Sequence, residues 1–272
     1  MTVPSIPEGQ EINRATRLCR DIDNVYCESG LISILILSQG KHQVFKKCFQ
    51  STIDSLKGYK GDLEYIFLEQ AWDTDSESAY RNVQFFNEAT AHIDRTLVVL
   101  PNRNGGINYG INQLWQLARG EYIVFLESDW ICSHSNEQWL VYAKAILDEY
   151  CDLGIVQLRA INDSNENWGV GKPEFSPWSC PDKPGVKERL IIADENVFSF
   201  YMTYNRMYGI NNNPALWRKK MRNELGPMSE PELWSDLRHG ETEYQEKFMK
   251  TKWNTAHIKI PVYYHCPSHL RR

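Results

Sequence analysis

Long apolar runs are missing from this 272-residue sequence. The longest, Leu31 to Leu37, is interrupted by Ser33 and falls far short of the roughly 18 residues that would suggest a membrane span. A basic excess is missing too. Thirty Lys and Arg face 35 Asp and Glu, a formal net charge of −5, which gives no field to draw in nucleic acid. The seven cysteines, at 19, 27, 48, 132, 151, 180 and 266, include no Cys-x-x-Cys pair. Such an odd, dispersed set argues against a disulfide framework or a zinc site and fits reduced structural thiols. Met1 to Glu8 holds no basic region followed by an apolar one, so an unexported, cytoplasmic protein is expected, soluble or peripheral to a membrane. No internal repeat or low-complexity tract is visible.

What is present is material for a large core: 42% hydrophobic residues, with nine Trp, fourteen Tyr and ten Phe. Residues 1–28 form a polar extension with a short helix expected around Glu11 to Arg20. From 29 to 130 the pattern alternates. Strands are expected at Leu31–Leu37, Leu63–Leu68, Thr96–Leu100 and Glu121–Leu126. Helices are expected at Val44–Leu56, Ser76–Ala89 and Gly110–Leu117. Strands alternating with helices imply a parallel, doubly wound α/β sheet, whose ligands sit at the carboxyl ends of the strands. The polar residues there are Ser38 and Gln39, then Glu69, then Asn104 to Gly106, then Glu127 to Trp130.

Residues 131–272 are less regular and are expected to complete the same globule. Helices are expected at Asn136–Tyr150, Pro214–Glu224 and Glu241–Thr251. Strands are expected at Leu153–Leu158, Arg189–Ile192, Phe198–Thr203 and His257–Tyr264, and a long loop at Asn162–Gly185.

The chemistry concentrates in Glu127-Ser128-Asp129. Two acids two positions apart at a strand end point to one side of the chain. They make a hard, oxygen-rich site suited to Mg²⁺ or Mn²⁺ beside a nucleotide diphosphate. Taken alone, the pair also fits a solvated acidic loop.

The ordered set Leu31–Leu37, Ser51–Leu56, Glu69 with Asp73-Thr74-Asp75, Asn104–Gly106, Ala118–Tyr122 and Glu127–Asp129 resembles the family-2-like inverting glycosyltransferases of the GT-A fold. The resemblance implies a GT-A (Rossmann-like), mostly parallel twisted sheet with flanking helices. It divides the chain into a nucleotide-sugar-binding half, 29–130, and an acceptor-binding half, 131–272. It implies that Glu69, Ser38 and Gln39 line the base pocket, that Asn104, Gly106 and Ser128 border the nucleotide and sugar, and that Asp129 binds Mn²⁺ or Mg²⁺, with Glu127 aiding it or touching the ribose. The sequence departs from the family where Glu127 replaces the first Asp, Ile111 a common Arg, and Leu114 a Gly.

The same resemblance implies a carboxylate base in an acidic pair roughly a hundred residues past the metal motif, which here is Glu243 or Glu241. It implies that a C-terminal histidine, His265 or His269, closes the metal shell, and that Asn213 and Trp217 face the acceptor. The function implied is transfer of a sugar from a nucleotide diphosphate donor, with UDP favoured, to a hydroxyl of a glycan or glycoconjugate. A sugar-1-phosphate nucleotidyltransferase and a non-catalytic carbohydrate-binding protein are the alternatives. Absence of a Gly-rich, basic triphosphate loop after the first strand disfavours the former, while Glu127 keeps the latter open.

Overall fold

The structure, a computed structural model, describes residues 27–159, 186–203, 213–230 and 237–267. The helix expected near Glu11 and the loop expected at 162–185 lie outside the described residues.

The chain runs β1 (Glu28–Ser38), α1 (His42–Leu56), β2 (Leu63–Glu69), α2 (Ser76–Ala89), β3 (Thr96–Val99), α3 (Gly106–Leu117) and β4 (Gly120–Glu127). It continues through β5 (Trp130–Cys132), α4 (Gln138–Glu149), β6 (Leu153–Gln157), β7 (Val186–Ala193) and β8 (Asn196–Thr203). It ends with β9 (Ala215–Arg218), α5 (Lys219–Leu225), α6 (Leu237–Met249), β10 (Asn254–Ile258) and β11 (Tyr263–His265).

Nine strands form one sheet in the order β3-β2-β1-β4-β9-β6-β10-β8-β7. The β3-β2-β1-β4 half is parallel. In the other half β9 runs antiparallel to both β4 and β6, and β7 and β8 form an antiparallel hairpin. A separate ribbon pairs β5 with β11.

β1 is apolar along its length because both of its faces are covered. Ile32, Ile34 and Ile36 join one core layer with α1 and α4, through Phe45, Phe49, Ile53, Trp139 and Leu140. Leu35 and Leu37 point to the opposite layer, which Leu114 and Trp115 of α3 share with Met221 of α5 and Phe248 of α6. β2 and β4 alternate in the same way, so the central strands are pinned from both sides and their carboxyl ends are held at one edge.

Three expectations are corrected. The segment read as a helix from Pro214 starts as strand β9 and becomes helical at Lys219. The single last strand is two, β10 and β11. The acidic helix α6 begins at Leu237, so Glu241 and Glu243 lie inside it rather than at its start. Among the described residues, no helix is long and apolar enough to cross a membrane.

Candidate active site

Where β1, β2 and β4 end, a cleft of about 600 Å³ opens, lined by Ser38, Gln39, Lys41, Gln70, Asp75, Ile107, Glu127, Ser128 and Asp129, among others. Glu69, at the end of β2, is 0% exposed. Glu69 Oε1 accepts the N–H groups of Gly40 and Ala71, each at 2.9 Å, and Oε2 accepts Asn82 Nδ2 at 2.7 Å. Asn82 in turn donates to the Gly40 carbonyl at 2.9 Å and to Ser38 Oγ at 3.4 Å. A buried carboxylate is stable where hydrogen bonds replace its hydration. Here they tie together the two loops that follow β1 and β2. Gly40 is left-handed, with φ 67°, and packs against Asp75, which suits glycine at this turn.

The Glu69 oxygens thus accept three N–H groups within the fold, and it is the neighbouring Gln70 that lines the cleft. Gln70 is 4% exposed, and its Oε1 has no hydrogen-bond partner among the described residues. A buried unpaired acceptor on a cleft wall is where a ligand N–H is rewarded. Gly110 makes room for it, since a Cβ there would stand 3.1 Å from Gln70 Nε2 and 2.4 Å from Leu37 Cδ1. Strand alternation could have identified Gln70, which has the parity of Ile66 and Leu68 and not that of Phe67 and Glu69.

On the opposite wall, Glu127 ends β4, and Asp129 follows it by two residues. Ser128, between them, is fixed by its N–H donating to the Leu37 carbonyl at 2.9 Å. The β5–β11 ribbon brings His265 to the same place: Trp130 pairs with His265, and the Cys266 N–H donates to the Asp129 carbonyl at 2.7 Å. One ligand atom from each of Glu127, Asp129 and His265 lies within 4.8 Å of the others. The imidazole stacks on Trp130 with ring centroids 3.6 Å apart, and the Arg159 guanidinium lies 5.4 Å from the Trp130 ring centroid. Two carboxylates and one imidazole suit a hard or borderline divalent cation such as Mn²⁺ or Mg²⁺.

The remaining expected residues lie elsewhere. Asn104 Oδ1 accepts the Gly106 N–H at 3.0 Å and so shapes the turn into α3, whose next residue, Ile107, lines the cleft. Asn213 Oδ1 accepts Arg159 Nη1 at 3.4 Å. Trp217 is a core residue, 5% exposed, in register with Ile123 and Ile155 and packed edge-on against Trp115 at 5.3 Å. Glu243 sits on α6, where its carboxylate accepts Ser229 Oγ and pairs with Lys247 at 3.0 Å. The Ser229 hydrogen bond, then that from Lys247, holds its pKa below the ordinary glutamate value. The side chain of Glu241, and His269 as a whole, lie outside the described residues.

A parallel half-sheet with its cleft at the strand ends, an acid-x-acid turn and a mixed sheet beyond defines the GT-A glycosyltransferase class. The sequence profile described as "Glycosyl transferase family 2" matches residues 33–272, and the chain belongs to that family. Among curated proteins no sequence matches it.

Solved structures share the fold. Residues 1–349 of S. aureus TarS in complex with UDP-GlcNAc align with a TM-score of 0.59 at 15% identity, over 88% of this chain and 60% of that one. The mannosyltransferase PcManGT from Pyrobaculum calidifontis, in complex with GDP-Man and Mn²⁺, aligns with a TM-score of 0.54 at 12% identity, over 92% of this chain and 62% of that one. The chain thus spans less than two thirds of the length of these neighbours.

Proposed function

We propose that the protein transfers a sugar, with inversion, from a nucleotide diphosphate donor to a hydroxyl of a glycan or glycoconjugate, in a divalent-metal-dependent reaction. The observation that carries this reading is the convergence of Glu127, Asp129 and His265 on the wall of the strand-end cleft. The TarS and PcManGT complexes, with UDP-GlcNAc and with GDP-Man and Mn²⁺, support a nucleotide-sugar donor. A neutral Gln70 amide on the cleft wall fits a neutral base edge, and uridine is the favoured nucleotide.

Glu127, Asp129 and His265 would hold Mn²⁺ or Mg²⁺, which when bound supplies positive charge opposite the diphosphate. The chain's own residues do the rest. Ser38, Gln39 and Gln70 line the side of the cleft that takes the base, and the left-handed Gly40 turn, fixed by Glu69, holds that side in place. A glutamate of α6, Glu243 or Glu241, takes the proton of the acceptor hydroxyl. The acceptor oxygen forms its bond to the anomeric carbon as the bond from that carbon to the phosphate oxygen breaks, and the electron pair leaves with the nucleoside diphosphate. Approach opposite the leaving group inverts the centre.

The test is a panel of nucleotide sugars incubated with Mn²⁺ and no acceptor. Slow release of one nucleoside diphosphate, abolished by EDTA, is expected and also names the donor. No release across the panel, with no nucleotide binding by calorimetry, overturns the reading. The anomeric configuration of the glycoside formed on an acceptor, read by NMR against that of the donor, decides inversion, since a free reducing sugar would mutarotate.

A further inference from the structure

We propose that Asn108, Asn112 and Arg222 form a clamp that positions the acidic stretch of α6 for proton abstraction, an inference that rests on the reading of Glu243 or Glu241 as the base. The segment Met228–Glu230, between α5 and α6, has no regular structure of its own. Two asparagines one helical turn apart on α3 hold it. Asn108 Nδ2 donates to the Ser229 carbonyl at 2.8 Å. Asn112 Nδ2 donates to the Met228 carbonyl at 2.8 Å and to Glu230 Oε1 at 2.9 Å. Asn112 Oδ1 accepts the Met228 N–H at 2.9 Å and Arg222 Nη2 at 3.0 Å. The amide of Asn112 thus uses both its donors and both its acceptor sites.

Two lines of contact run from this point to the acidic stretch. Ser229, whose carbonyl Asn108 holds, donates its own hydroxyl to Glu243. Arg222, buried, has its guanidinium 5.0 Å from the Trp115 ring centroid and 4.6 Å from that of Tyr244, the residue after Glu243. The Tyr244 hydroxyl donates to the Gly226 carbonyl at 3.2 Å, which closes the loop from α5 to α6. A guanidinium is an expensive choice for a buried position between two aromatic faces, and an apolar side chain would serve stability at lower cost. What arginine adds is direction: a planar group whose charge lies against both rings and which donates to Asn112. These residues touch neither donor nor acceptor in this reading. They act through the glutamate, and α3, which carries Ile107 into the cleft, is the reference against which the glutamate is placed.

The test compares Asn112→Ala, Asn112→Asp and Arg222→Lys by transfer kinetics, donor Kd and thermal melting. Asn112→Asp keeps the acceptor for Arg222 and Met228 but loses both donors, so it decides the matter if the alanine variant does not fold. The expected result is a fall in kcat of about 10- to 100-fold, the scale for a displaced catalytic group, with donor Kd unchanged. A second readout separates positioning from a merely structural role: in a background where the active glutamate is already Gln, Asn112→Asp lowers kcat no further. If Glu241→Gln and Glu243→Gln both retain transfer, the assignment of the base fails and the clamp falls with it. If one of them is inactive while Asn112→Asp and Arg222→Lys keep full kcat, the clamp alone is refuted.

Discussion

His265 lies against Trp130 with ring centroids 3.6 Å apart and planes 28° apart, and the two residues face each other across the β5–β11 ladder. The stack fixes the plane of the imidazole beside Glu127 and Asp129, with the ribbon supplying the position and the indole the orientation. Residues that orient a metal ligand are commonly worth about 10- to 100-fold in metal affinity. Trp130→Leu is therefore expected to weaken Mn²⁺ binding by about tenfold, measured by EPR or calorimetry on the protein without nucleotide, and His265→Ala by more. Wild-type Mn²⁺ affinity in His265→Ala would remove His265 from the site.

Gln70 offers a second, separable handle on the donor. Its carbonyl oxygen is buried on the cleft wall without a partner among the described residues. Gln70→Ala is expected to raise the Kd for the nucleotide by about 3- to 10-fold, the equivalent of one neutral hydrogen bond. Removing an unsatisfied acceptor should leave the melting temperature nearly unchanged. A nucleotide Kd equal to wild type would show that Gln70 does not meet the base.

Glu69 should behave in the opposite way. It accepts three N–H groups inside the fold, and replacement by Gln sets an NH₂ against at least one of them. A loss of about 1–3 kcal/mol is expected, read as a lower melting temperature together with weaker donor binding, because the Gly40 turn loses its anchor. Full stability in Glu69→Gln, with only donor binding impaired, would restore the direct role in base binding read from the sequence.

Glu243 carries a pH prediction. Hydrogen bonds from Ser229 and Lys247 lower its pKa, so the carboxylate that would accept the proton persists to more acidic pH and is lost only as pH falls through that lowered value. The acid limb of kcat should therefore lie below the ordinary glutamate range, and Ser229→Ala should move it to higher pH. An acid limb that does not move in Ser229→Ala would assign the base to Glu241.

The parts of this fold that could be read from the sequence are those that repeat a period. β1, β2 and β4 are buried on both faces, so Leu31–Leu37, Leu63–Leu68 and Glu121–Leu126 appear as apolar runs of strand length, and α1 and α2 show the helical spacing of their one buried face. The acid-x-acid turn is equally local, since Glu127 and Asp129 are neighbours in sequence and in space. β5 and β11, at three residues each, are too short for any period to register. Yet their pairing is what delivers His265, so the third candidate ligand, which the family resemblance implied as His265 or His269, could not be placed from the sequence. Glu69 and Gln70 show the finer limit: both sit at the strand end, and only the parity of the strand decides which faces the fold and which the cleft.

Trp217 shows how the element that carries a residue changes the surroundings expected for it. The family resemblance places it at the acceptor, within a segment read as a helix. As the third residue of β9, it stands between Ile123 of β4 and Ile155 of β6 and meets Trp115 edge-on, packed into the core. Replacing a buried Trp by Ala costs about 3–5 kcal/mol because the lost contacts leave a cavity that its neighbours only partly close. Trp217→Ala is accordingly expected to lower the melting temperature strongly, while the fraction that remains folded keeps its acceptor KM. Unchanged stability with a raised acceptor KM would return Trp217 to the acceptor site and put the packing of β9 in question.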